Sequence, residues 1–292
     1  MQELLEQYIK SLAITHSGSK NTSESYYRDI SGFVNFLEEK NIHSYEDVTK
    51  DDLYEYIGIY RSKKISNATY SRFLSALRSF YRYLNTNCGI TNNPVSSIRG
   101  AKVKRELPDI LSFDDVERLL DVFDLDSSTE LRDRTIIETI YACGLRLSEV
   151  TSLNLDDIDL RNMTLRVIGK GSKMRIIPFY PRLKELIIRY LNEYRIQFDG
   201  DALFVSLRGT RISNRAIEKM LDKKSVEAGI KINVHPHILR HSFASHLLDN
   251  GADLRTVQEL LGHENLSTTQ TYTHLTLDRL KKTVNKAHPH SK

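Results

Sequence analysis

A mainly α-helical protein in two parts, with one small antiparallel sheet, is what this sequence predicts, and three observations carry the prediction. Apolar residues recur at helical spacing through most of both halves of the chain. One pair of β-like runs, "TLRVI" at 164–168 and "RIIPF" at 175–179, interrupts the second half. A basic stretch bearing Pro94, Gly100 and Pro108, "NNPVSSIRGAKVKRELPDIL", separates the halves. These give an N-terminal helical unit at 1–98, a basic linker at 99–110 and a second unit at 111–292 that ends in a tail helix.

The N-terminal unit reads as about four helices. Leu4, Leu5, Tyr8, Ile9 and Leu12 form an apolar stripe that ends before Ser17-Gly18-Ser19. A second helix follows "NTSES" and runs to about Lys40, with Phe33, Phe36 and Leu37 inward. The third starts near Thr49, which with Asp52 resembles a capping box in which Asp replaces Glu. The fourth spans about Asn67 to Asn85. On it Tyr70, Phe73, Leu77, Phe80 and Leu84 share one face, and Ser71, Ser75, Arg78, Ser79 and Arg82 lie opposite.

In the second unit Ser112 suits an N-cap, with Asp114 and Asp115 in the first turn and Val116, Leu119 and Leu120 inward. A helix from about Glu130 to Cys143 stops at Gly144, a natural residue for a left-handed C-terminal cap. The β-like runs and the intervening "GKGSKM" make a hairpin with a glycine-rich loop. Helices follow at about 181–195, 213–228, 236–250, 253–261 and 276–286.

Composition excludes several classes. The chain of 292 residues, 40% hydrophobic and 27% charged, is that of a folded globular protein. No run of about 18 apolar residues occurs, so no membrane partner is expected. The start "MQELLEQYIKSL" lacks a basic segment leading into an apolar one, so no signal peptide is expected and the cytoplasm is the default compartment. Cys88 and Cys143 lack the spacing of a zinc cluster or disulfide framework. The net charge of +4 is small, but its distribution is uneven. From Tyr56 to Arg105 there is no Asp or Glu, while Arg61, Lys63, Lys64, Arg72, Arg78, Arg82, Arg99, Lys102, Lys104 and Arg105 fall there. A basic, Ser- and Tyr-rich surface suits DNA phosphates; a solvated charged face is the alternative.

Four stretches could carry chemistry. In "VHPHILRHSFASHLLDNG", Pro236 suits a first helical turn, and Leu239, Phe243 and Leu247 make the buried stripe. His237 and Arg240 project together beside that stripe; an arginine there needs an anion, either a phosphate or a carboxylate of the protein. His237 and His241 have H-x-x-x-H spacing, but Ile238 stands where zinc hydrolases need Glu, so no metal is expected. "GKGSK" fails the P-loop pattern because Lys170 is followed by Gly171; what remains is a loop carrying Lys170 and Lys173, able to deliver an ammonium as general acid. "CGLRLSE" puts Arg146 in a turn past a helix end, with Glu149 placed to orient it. In "GHENLSTTQTYTHL", Tyr272 lies among small polar residues between His263 and His274, either as a packing residue or as a nucleophile.

Taken in order, "GLRLSE", "GKGSK", "HPHILRHSFASHLLDNGADLRTVQELLGH" and "STTQTYTHL" resemble the tyrosine site-specific recombinases, and most of all their Xer subfamily of chromosome-dimer resolvases. The resemblance covers nearly the whole chain and maps the family's pattern onto Arg146, Lys170, His237, Arg240, His263 and Tyr272 without departure. It implies a helical SAM-like core-binding domain linked to a mixed α/β catalytic domain, the two forming a C-shaped clamp on DNA. It further implies that Tyr272 attacks the scissile phosphate, leaving a 3′-phosphotyrosyl link and a free 5′-hydroxyl that conserve the bond energy without a cofactor. Arg146 and Arg240 would neutralise the transition state, His237 and His263 would add hydrogen bonds and manage the tyrosine proton, and Lys170 would protonate the departing oxygen. DNA contacts would fall to Arg61, Lys63, Lys64, Arg72, Arg78, Arg82, Lys102, Lys104, Arg105 and Lys173.

The implied partner is a duplex recombination site held by a tetramer, with the C-terminal helix passed to a neighbouring protomer. The resemblance leaves open whether the chain acts alone, with a related recombinase or under a DNA translocase, and which sequence it recognises. Alternatives are a mobile-element integrase of the same family, a type IB topoisomerase-like nicking-closing enzyme, an inactive DNA-binding architectural protein and a metal-dependent nuclease.

Overall fold

The computed structural model describes residues 1–14, 20–98, 109–169, 173–262 and 274–291. The expectations for Lys170, His263 and Tyr272, and those for Arg99, Lys102, Lys104 and Arg105, lie outside the described residues. The chain divides into a compact unit at Met1–Glu106 and another at Leu107–Lys292.

The first unit contains α1 (Gln2–Ile14), α2 (Lys20–Glu39), α3 (Lys50–Ser62) and α4 (Asn67–Cys88). Helix α2 begins earlier than its turn-like "NTSES" suggests. Those Ser, Thr and Asn residues favour caps when isolated, but α2 packs along α1 and Ser23 is buried there, so tertiary contact overrides local preference. Thr49 and Asp52 form the expected capping box: Asp52 N–H donates to Thr49 Oγ1 at 3.2 Å and Thr49 N–H to Asp52 Oδ2 at 3.0 Å. The inward face of α4, Tyr70, Phe73, Leu77, Phe80 and Leu84, is buried against an aromatic core with Tyr8, Phe33, Tyr45 and Tyr56. Its opposite face leaves Ser75, Arg78 and Arg82 exposed.

The second unit opens with α5 (Phe113–Asp121), capped by the reciprocal Ser112–Asp115 pair. The central element is α6 (Ser128–Cys143), which is buried on every side and so lacks an amphipathic pattern. It ends at Gly144, whose φ of 58° requires glycine and whose Cα lies so near Phe243 that an added Cβ would sit 2.5 Å from that ring. A short helix, α7 (Leu147–Ser152), follows where the sequence reads as a turn. Strands β1 (Ile158–Asp159), β2 (Thr164–Ile168) and β3 (Met174–Pro178) form an antiparallel sheet in that order, with Thr164 opposite Pro178 and Ile168 opposite Met174. The two-residue β1 is too short to show alternation, so only its neighbours were legible as strands.

Helices α8 (Pro181–Glu193), α9 (Asn214–Glu227), α10 (Pro236–Asp249), α11 (Leu254–Leu261) and α12 (His274–Ala287) complete the unit. Leu239, Phe243 and Leu247 of α10 are fully buried, as their spacing predicts. Helix α12 packs against α10, α11 and β3 of its own unit, with Leu280, Val284 and Ala287 in the core. The turn beyond it buries His288 between the rings of Tyr180, Tyr141 and Phe243. Among the described residues no helix is long and apolar enough to cross a membrane.

Candidate active site

Two of the catalytic candidates, Arg146 and Arg240, meet at the carboxylate of Glu149. Helix α7 begins directly after Arg146, so Arg146 and Glu149 stand one turn apart. Glu149 Oε2 accepts from the backbone N–H of Arg146 at 2.8 Å, closing the N-terminus of the helix, and Oε1 accepts from Arg146 Nη1 at 2.8 Å. The Arg146 side chain is 36% exposed, so its guanidinium is held at one edge and open at the other.

Arg240 comes from the first turns of α10 and is buried. Its guanidinium donates to the carbonyl of Gly144, which caps α6, and, at 2.6 Å, to that of Leu261, the last residue of α11. Helix C-termini present unpaired carbonyls, so a buried cation there is locally stabilised. The Glu149 carboxylate lies 3.6 Å from Arg240 Nη1, within Coulombic reach but beyond a hydrogen bond. Burial, then the neighbouring Arg146 charge and to a lesser extent Arg175, pull Arg240 down to about 10 against the opposing pull of Glu149. An additional anion is what such a cluster of guanidiniums lacks.

A third arginine, Arg175 on β3, was missed by the sequence reading. It is buried and grips Glu149 with both ends of its fork, Nη1 to Oε1 at 2.8 Å and Nη2 to Oε2 at 2.9 Å. Its Nε donates to Leu260 O at 3.0 Å. Burial pushes the Glu149 carboxyl upward, but the hydrogen bonds and charge of Arg175, followed by Arg146, outweigh it and hold Glu149 at about 2. The signal for Arg175 was present. Strand alternation puts Arg175 on the same buried face as Ile177, and an arginine on that face needs a carboxylate.

His237 is exposed in the first turn of α10, and Lys173 is exposed at the base of the hairpin, where its carbonyl accepts from Gly169 N–H at 2.8 Å. In the first unit, Arg61, Lys63, Lys64, Arg78 and Arg82 are exposed. Arg61 lies over the Tyr70 ring at 5.1 Å, and Arg78 donates to Ile98 O at 2.7 Å. Arg72 is occupied: Nε and Nη2 fork onto the buried carboxylate of Asp29 at 2.9 and 3.1 Å.

Comparison with known proteins shows the family of the chain. Residues 109–279 match the phage integrase family, and residues 5–87 match the phage integrase N-terminal SAM-like domain. A tyrosine recombinase XerD of Oceanobacillus iheyensis is 38% identical over 99% of each chain. The XerH site-specific recombinase, solved with its palindromic difH substrate after cleavage, superposes with a TM-score of 0.72 at 25% identity, over 96% of this chain and 84% of that one. A lambda integrase tetramer on a Holliday junction shares the fold, with a TM-score of 0.68 at 20% identity over 94% of this chain and 79% of the other. The chain belongs to the phage integrase family as a site-specific tyrosine recombinase, an enzyme class that breaks and rejoins DNA strands.

Proposed function

We propose that this recombinase cuts a duplex recombination site by attack of the Tyr272 hydroxyl on the scissile phosphorus. The P–O bond to the 5′-oxygen breaks, a 3′-phosphotyrosyl link forms, and the 5′-hydroxyl of a partner strand later reverses the step on a new junction. What supports this reading best is the pairing of Arg146 and Arg240, brought from the start of α7 and from α10 to one carboxylate with the Arg146 side chain partly exposed. Two guanidiniums gathered beside one carboxylate could neutralise a phosphate as negative charge grows on its non-bridging oxygens. His237, exposed on the same helix as Arg240, and His263 would hydrogen-bond that phosphate and take the tyrosine proton; Lys170 would protonate the leaving oxygen. Arg61, Lys63, Lys64, Arg72, Arg78 and Arg82, with Lys102, Lys104, Arg105 and Lys173, would hold the DNA backbone, Arg72 with what its fork onto Asp29 leaves over.

Similarity to XerD proteins supports resolution of chromosome or plasmid dimers as the biological role, and the Holliday-junction tetramer of lambda integrase supports a tetramer on two sites. A DNA translocase as regulator fits the same role. Passing α12 to a neighbour would require undocking Leu280, Val284 and His288 from their own core.

The test is a duplex nicked beside the scissile phosphate, so that cleavage releases a short fragment and cannot reverse. With EDTA present, wild type should form a denaturation-resistant adduct and Tyr272→Phe none. Adduct formation by Tyr272→Phe would remove the proposed nucleophile.

A further inference from the structure

We propose that Arg175 is a positioning residue for strand cleavage: it occupies the carboxylate of Glu149 so that Arg146 and Arg240 keep guanidinium donors for the scissile phosphate. The inference rests on the phosphate-binding reading of those two arginines. A carboxylate offers roughly four acceptor positions. On Glu149 the fork of Arg175 takes two, at 2.8 and 2.9 Å, and the backbone N–H and side chain of Arg146 take the others, each at 2.8 Å. Arg240, left at 3.6 Å, bonds to carbonyls instead.

Without Arg175, two acceptor positions would open beside two guanidiniums that still have donors to give. Forked arginine–carboxylate pairing is among the strongest protein hydrogen-bonding arrangements. Glu149 would then draw Arg146 or Arg240 into a second bond and away from the phosphate, while the cluster lost one positive charge. Arg175 itself has no route to substrate. Its side chain is 5% exposed, its Nε is committed to Leu260 O, and Gly262 packs so closely that an added Cβ would lie 3.1–3.3 Å from Cδ, Nη1 and Nε. It acts through Glu149.

The experiment measures adduct formation by the full-length protein on nicked duplexes carrying either an ordinary scissile phosphate or a neutral methylphosphonate. Arg175→Met should slow the phosphate reaction by about 10²-fold and the methylphosphonate reaction far less, because less charge then needs neutralising. Adding Glu149→Gln should bring Arg175→Met up to the rate of Glu149→Gln alone, since the competing carboxylate is gone. Arg175→Lys should stay slow on phosphate, because an ammonium cannot engage both oxygens. Equal slowing on both substrates would overturn the proposal and make Arg175 a structural ion pair, as would full activity of Arg175→Lys. Should Arg175→Met fail to fold, the ratio of the two rates in Arg175→Lys decides by the same criterion. Wild type forming no adduct on phosphate would sink the underlying functional reading instead.

Discussion

Asp29 in the first unit and Glu149 in the second are both buried carboxylates gripped by a forked arginine, and the difference between them lies in their remaining partners. Asp29 on α2 takes Arg72 from α4 and, at 3.0 Å, the hydroxyl of Tyr60 from α3, so the group ties three helices together. Glu149 takes Arg175 but also the backbone and side chain of Arg146, a guanidinium that remains open outward. The first carboxylate closes a structure. The second is shared by two guanidiniums, with that of Arg240 at 3.6 Å. Identical local chemistry therefore serves packing in one unit and, in our reading, catalysis in the other; what sets Glu149 apart is that Arg146 and Arg240 stand beside it in addition to the forked Arg175.

Substitutions can break this contrast, and the largest expected effect is at the cations themselves. Arg146→Ala or Arg240→Ala should lower adduct formation by about 10²–10³-fold in the nicked-substrate assay, with DNA binding little changed. A gel-shift constant that fell as far as the cleavage rate would remove their distinction from backbone contacts. Next comes the scaffold under Arg240. Gly144→Ala would place a methyl into the Phe243 ring at a left-handed φ, and should destabilise the second unit by about 2–4 kcal/mol, read as a lowered thermal midpoint. A melt unchanged from wild type would show that α6 and α10 can separate without cost.

The carboxylates should then part company. Asp29→Asn should lower stability by about 1–3 kcal/mol and leave the adduct rate untouched, whereas Glu149→Gln should slow cleavage by about tenfold or more. If Asp29→Asn slowed cleavage in the folded protein as much as Glu149→Gln does, the contrast would collapse. The smallest effect concerns the tail. Burial, then the charge of His290, press His288 down to about 3 from its usual range near 6.5. A depressed imidazole binds its proton in the unfolded chain first, so stability should fall as pH drops below about 6.5, by at most about 1.4 kcal/mol per unit. Melting at about pH 7.5 and about pH 5.5 checks this, and His288→Asn should flatten the difference. Equal slopes in both proteins would place the acid sensitivity elsewhere.

Much of this molecule was legible because periodic patterns are local. The stripe of α4, the box at Thr49–Asp52, the N-cap at Ser112, the C-cap at Gly144 and the stripe of α10 each declare themselves within a few residues. Helix α6 was legible by the glycine that ends it and not by an amphipathic face, because burial on every side erases amphipathicity. Helix α7 and strand β1 were too short to have a period. Arg175 escaped notice because its neighbours read simply as a strand, and its meaning depends on Glu149 and Leu260, which other elements bring to it.

By itself the sequence determined the kinds of element, their order and the residue types able to handle a phosphate, since these follow from spacing along the chain and side-chain chemistry. Only the tertiary structure decided which acceptor each guanidinium meets. Hydrogen bonds depend on fractions of an ångström between residues far apart in sequence, and packing of α6, α7, α10, α11 and β3 sets those distances.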